Sequence, residues 1–137
     1  MTGGRNRALS IIFHSGSWDR VHHGLSIALA AAALGRQVRL FFAYGAVEHL
    51  RRNRSTSSNE VGNPPESRFT EAVRMGHMED IDELMDQVGR LGAKIFACTN
   101  AMSIFNITRG ELREEVDKPM GLTNFLAEGS EDQLIFI

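Results

Sequence analysis

One side chain in this sequence has chemistry that no other can duplicate: Cys98, the single cysteine among 137 residues. A lone thiol cannot close an intramolecular disulfide, and it fits a reducing compartment. Cys98 follows the run Ala93-Lys94-Ile95-Phe96-Ala97, which reads as a β-strand, and precedes Thr99 and a helix expected over Asn100–Phe105. The unpaired N–H groups of a helix N-terminus favour a thiolate there. Position alone leaves two roles open, a reactive thiolate or an inert small hydrophobe.

Five histidines, His14, His22, His23, His49 and His77, raise the question of a metal. His22 and His23 are adjacent and so diverge by about 100° on a helix, and no cysteine pair or His-Glu-x-x-His spacing accompanies them. No metal site is expected. His14 and His77 are candidates to line a cleft and assist proton transfer, or else packed or exposed histidines. The turn His14-Ser15-Gly16-Ser17 could hold a small anion at the N-terminus of the helix that follows. It lacks the glycine patterns of dinucleotide and nucleoside triphosphate sites. With no carboxylate–histidine arrangement beside them, Ser15 and Ser17 read as helix caps and not nucleophiles. The five internal methionines read as fillers of core gaps or of a subunit interface.

The elements that must position these residues alternate. Segments 8–13, 38–42, 93–97 and 133–137 are short, rich in β-branched or aromatic residues, and almost continuously apolar. That pattern suits parallel strands covered on both faces. Trp18 to Leu34 sets Val21, Leu25, Ala28, Leu29 and Ala32 on one helical stripe, and Gly35 supplies the stop. Met78 to Leu91 repeats the pattern, with acidic residues near its start and Gly92 at its end. Shorter helices are expected over Asn100–Phe105, Glu111–Val116 and Thr123–Ala127. This order predicts an α/β fold with a mostly parallel sheet of four or five strands. Ligands of such sheets bind outside the carboxyl ends of the strands. The residues that follow the first three strands are therefore the candidate cleft: His14, Ser15, Gly16 and Ser17; Tyr44 and Gly45; and Cys98, Thr99 and Asn100.

Residues 51–68 form the one polar stretch without periodicity, and Pro64-Pro65 forbids a continuous helix through it. A mobile lid, an oligomer contact or disorder is expected there. Charge is uneven. Residues 1–54 carry eight Arg against Asp19 and Glu48, whereas the remainder is acidic, for a net charge of −2. Arg51, Arg52 and Arg54 sit together without interleaved aromatics, and the pI is about 6.2. A solvated loop or subunit contact is expected, and no nucleic-acid face. With 42% apolar and 23% charged residues the chain suits one folded domain over 1–137. Its longest apolar stretch is shorter than a membrane span, and its N-terminus lacks a signal-peptide core. A soluble, cytoplasmic protein is expected.

Three stretches resemble the DsrE/DsrF-like proteins, especially the branch labelled peroxiredoxin-like. Ser15-Gly16-Ser17-Trp18-Asp19 with its Ala-rich helix is similar to the family's first loop and helix. Val38-Arg39-Leu40-Phe41-Phe42-Ala43-Tyr44-Gly45-Ala46 is similar to its second strand and glycine turn. The third stretch, Gly92 to Ser103 followed by Glu111-Leu112 and Gly121 to Leu126, resembles the cysteine strand and C-terminal helix. The resemblance implies a flavodoxin-like three-layer α/β/α sandwich and homo- or hetero-oligomers, with Cys98 carrying a persulfide in sulfur relay. It also implies partners of the TusA-like carrier and rhodanese types. No cofactor is expected. Nor is peroxidase activity, because no second cysteine can resolve a sulfenic acid and no Thr-x-x-Cys environment precedes Cys98. Two other readings stay open: a non-catalytic oligomeric scaffold binding a small anion or a partner protein, and a flavin or nucleotide binder of flavodoxin type.

Overall fold

The computed structural model describes residues 7–52 and 67–137. Four expected strands form at Leu9–Phe13 (β1), Val38–Phe42 (β2), Lys94–Cys98 (β3) and Gln133–Phe136 (β5), and a fifth lies at Lys118–Met120 (β4). They make one sheet in the order β4-β3-β2-β1-β5, with every neighbouring pair parallel. The helices are Trp18–Ala33 (α1), Ser67–Arg74 (α2), Ile81–Arg90 (α3), Thr99–Ile104 (α4) and Leu122–Glu128 (α5), with 3₁₀ turns at Tyr44–Leu50 and Arg109–Glu111.

The two layers of helices follow from the handedness of the crossovers. From β1 to β4 the chain steps in one direction across the sheet, so right-handed connections keep α1, α3 and α4 on one face. From β4 to β5 it travels back past β1, and the same handedness carries α5 to the other face. The first face holds the larger core. Leu9, Ile11 and Phe13 of β1 and Leu40 and Phe42 of β2 pack against Val21, Leu25 and Ala28 of α1 and Leu84, Met85 and Val88 of α3. A close approach sets one residue type here. A Cβ on Gly24 would stand 2.3 Å from the ring of Phe13, which is itself fully buried and stacked 4.3 Å from Phe42.

The opposite face is thinner. Phe125 of the seven-residue α5 is fully buried against Phe41, Phe96 and Met120, with ring centroids 4.9 Å from Phe41 and 6.0 Å from Phe96. The Arg39 guanidinium lies 4.2 Å above the Phe125 ring, donates to the Phe125 carbonyl at 3.1 Å and to Ser10 Oγ at 3.2 Å, and pairs with Asp132 at 3.6 Å. Ser10 Oγ in turn donates to Asp132 at 2.7 Å. One helix of this length leaves Leu134 and Phe136 of β5 largely in water. The expectation that every strand is covered on both faces therefore fails at β5, because it is an edge strand beside a short helix.

Two helix expectations change. Asp80 accepts the Glu83 N–H at 2.8 Å as an N-cap, so the second long helix begins at Ile81 and not at Met78. No helix spans 111–116. Glu111 instead closes a capping box with Thr108 around the Arg109–Glu111 turn. The flanks of the polar segment are also fixed. Arg51 pairs with Glu48 at 2.8 Å and Glu111 at 3.1 Å and donates to the Phe105 carbonyl at 2.9 Å. Arg52 donates its backbone N–H to Glu111 at 2.7 Å, and Ser67 and Arg68 open α2. The mobile segment expected over 51–68 otherwise falls on 53–66, Arg54 included, outside the described residues.

The Thr108 backbone N–H and hydroxyl, helped by Arg51, hold the Glu111 carboxyl below the ordinary glutamate range. A carboxyl depressed in the folded state adds stability that is present above its unfolded range and is lost as pH falls through its lower folded value. Glu111→Gln should therefore be less stable than the parent at neutral pH, with a shallower loss on acidification. Urea unfolding of both proteins from about pH 7 to about pH 3 checks this, and parallel stability–pH curves would refute it.

Candidate functional site

The carboxyl ends of all five strands come together along one edge of the sheet, where a cleft of about 330 Å³ opens. Its floor is made by Ile12 of β1 and Phe41 of β2, partners in the strand register, followed by Ala43. Both side chains pack with the smaller core, so the cleft sits on the α5 side of the sheet. Gly121 and Leu122, where α5 begins, border it on that side.

Cys98 is part of the lining. It is the last residue of β3, paired with Met120 of β4, and at the same time the N-cap residue of α4. The expectation placed it just after the strand; pairing with the unforeseen β4 extends the strand by one residue. Its side chain is half-buried between the two cores and takes no cap hydrogen bond. Thr99, Asn100 and Ala101 of α4 continue the wall beside it. Arg51 steadies α4 from its far end, through the bond to the Phe105 carbonyl.

His14 and Tyr44 form the opposite wall. Their rings are 4.5 Å apart, and His14 also lies 5.6 Å from Phe136. Tyr44 has φ of 47°, in the left-handed region that a side chain with Cβ enters at a cost of about 1–2 kcal/mol. Such strain persists only where the surrounding structure imposes it, as it often does at binding sites.

Five of the expected cleft residues lie elsewhere. Ser15, Gly16 and Ser17 turn towards α1 on the other face of the sheet, where Ser15 Oγ accepts the Ser17 N–H at 3.1 Å and donates to Ser17 Oγ at 3.0 Å. Gly16 is pressed against Gly45, since a Cβ on it would come 2.7 Å from the Gly45 carbonyl oxygen. Its own carbonyl accepts from Nε2 of the buried His49 at 2.8 Å. These contacts engage both serine hydroxyls, the Ser17 N–H and the Gly16 carbonyl in the loop's own turn and packing. Gly45 serves the same packing. His77 is exposed beyond the end of α2, away from the cleft lining. Among the described residues, no three His, Cys, Asp or Glu side chains gather as a metal site would require.

The remaining lining residues escaped the sequence reading. Gly121 and Leu122 follow β4, a strand too short and too proline-marked to see, while Ile104 and Phe136 sit at the far ends of α4 and β5. Residue parity along β1 and β2 was the available signal for Ile12 and Phe41, because alternate residues share a face.

The profile of the DsrE/DsrF-like family matches residues 8–134. No curated protein matches the chain. Among solved structures, the ychN protein from E. coli superposes with a TM-score of 0.68 at 16% sequence identity, covering 95% of this chain and 99% of that one. MTH1491 from Methanobacterium thermoautotrophicum, a protein of unknown function, does so with a TM-score of 0.56 at 17% identity, covering 96% and 99%. These likenesses show the shared fold, an all-parallel sheet with helices on both sides. No helix among the described residues is long and apolar enough to cross a membrane.

Proposed function

Because the chain belongs to the DsrE/DsrF-like family, we propose that it is a sulfur-relay protein in which Cys98 holds a persulfide between a donor and an acceptor thiol. The observation that carries this reading is the position of the only thiol, half-buried in the wall of the cleft where five strand ends meet. In the loading step the Cys98 thiolate attacks the outer sulfur of a donor R–S–SH. The donor's S–S bond breaks, R–S⁻ departs and takes a proton, and Cys98 keeps the outer sulfur as –S–SH. An acceptor thiolate repeats the exchange and releases Cys98 as a thiolate, with no net oxidation. His14, whose imidazole can both give and accept a proton, is the lining residue suited to serve the departing thiolate. A reducing compartment such as the cytoplasm keeps the thiol available, and a TusA-like or rhodanese-type carrier is the exchange partner this chemistry calls for.

Replacing Cys98 with serine should abolish sulfur transfer from a persulfide donor to an acceptor thiol while leaving the circular dichroism spectrum and unfolding midpoint close to those of the parent. Transfer by Cys98→Ser at the parental rate would refute the reading.

The thin face supports a homo-oligomer. Leu126 and Leu134 are 42% and 53% exposed on the side covered by α5 alone, the kind of apolar patch that marks an interface. Sedimentation should give a mass at least twice the 15.2 kDa of the chain, and Leu134→Glu should lower it. A parent that sediments as a monomer at tens of micromolar would rule this out.

A further inference from the structure

We propose that the cleft beside Cys98 selects its donor by polarity: it takes an uncharged hydropersulfide bearing an aryl or branched-alkyl group, and disfavours anionic donors. The inference rests on the reading of Cys98 as the persulfide acceptor, and adds to it the class of molecule that brings the sulfur.

Charge is the first argument. Among the described residues, no Lys, Arg, Asp or Glu lines the cleft. Its polar groups, Thr99, Asn100, the Tyr44 hydroxyl and the His14 imidazole, can satisfy a thiol or a neutral heteroatom. Arg51 is paired behind α4, and Arg39 is held beneath α5 by Phe125 and Asp132. An anion entering would lose water and find only the N–H groups at the start of α4, with no lysine or arginine in the lining to pair with it.

Size and surface are the second. A volume near 330 Å³ is at the small end of the roughly 300–1,000 Å³ range of small-molecule sites. A benzyl-sized group with two sulfurs fits in that space. The mouth is ringed by Ile104, Phe136, Tyr44 and Leu122, which are 68%, 67%, 61% and 48% exposed. A ligand that covers these side chains removes apolar surface from water, and the aromatic walls favour contact with sulfur.

The loading step is the exchange already written, with R as the aryl or branched-alkyl group: the donor's S–S bond breaks, R–S⁻ leaves and takes a proton, and Cys98 gains the outer sulfur.

The test compares benzyl hydropersulfide, glutathione hydropersulfide and thiosulfate on the full chain, following sulfur gain by intact mass. Each rate is divided by that of a short unstructured peptide with one cysteine, which removes intrinsic reactivity. The expected result is a normalised preference of at least about tenfold for the benzyl donor, reduced in Ile104→Arg. Equal normalised rates, or a faster glutathione donor, would overturn the proposal. Binding is read separately with unreactive thioethers. Benzyl methyl sulfide should shift the amide signals of Tyr44, Ala101 and Leu122 saturably in parent and Cys98→Ser alike, whereas S-methylglutathione should not. If no donor loads Cys98 but this selective binding holds, the relay reading fails and the polarity selection stands. No shift with either thioether, or equal shifts with both, overturns the selection itself.

Discussion

Phe125→Ala is expected to cost about 3–5 kcal/mol, the range for deleting a buried aromatic ring, and to lower the melting temperature by roughly 10–20 °C. The reason lies in how little else holds α5 down. Phe125 is the one buried residue of that helix. Its ring touches Phe41 and Phe96 and lies under the Arg39 guanidinium. Truncation removes all three contacts at once and leaves a cavity that neighbours on a rigid sheet cannot fill. Because α5 begins at Leu122, part of the cleft wall, loosening the helix also removes that wall. The variant should lose sulfur transfer faster than its unfolded fraction alone explains. Chemical unfolding with a parallel transfer assay reads both effects. A stability loss below about 1 kcal/mol would show that α5 is anchored by something other than this ring.

The second large effect is expected at Arg39. Its side chain and that of Asp132 are only 13% and 12% exposed, so removing the cation leaves a buried carboxylate with Ser10 Oγ alone as a close partner. Breaking a buried pair from one side costs about 3–5 kcal/mol, and Arg39→Met, which keeps an apolar stem over Phe125, should still fall near the lower end. The double variant Arg39→Met with Asp132→Asn removes the stranded charge and should recover part of the loss. The Arg39 Nη2 atom already lacks a hydrogen bond, with Glu128 at 3.7 Å as a long ion pair. The pair with Asp132 and the ring contacts, not Glu128, therefore carry the effect. If the double variant is no more stable than Arg39→Met, packing of the arginine stem and not charge pairing holds this corner.

Much of this architecture was legible because the physics is local. The continuous apolar runs of β1, β2 and β3 announce strands buried between layers, and the stripes of α1 and α3 announce helices that cover one of those faces. What stayed hidden depends on partners far along the chain. β4 is three residues, Lys118-Pro119-Met120, with no pattern of its own, and proline at its centre argues against a strand unless it lies at an edge, as it does here. The helix expected over Glu111–Val116 does not form. Leu112 instead bridges Arg51 across the chain, and Glu111 serves a cap. At the site, the rule that ligands gather at strand carboxyl ends located the right edge of the sheet. It could not tell which face the cleft would use. The loop after β1 was therefore read as part of the site, although Ser15, Gly16 and Ser17 turn to the α1 side, and Leu122 and Phe136 went unread.

The account stands on Cys98 as a sulfur acceptor, and intact-protein mass spectrometry after incubation with a hydropersulfide donor tests it most directly. The parent should gain about 32 Da, one sulfur atom, in a form that reductant reverses, and Cys98→Ser should gain nothing. A parent that gains no mass while a control thiol loads under the same conditions would contradict it and leave Cys98 as part of the core.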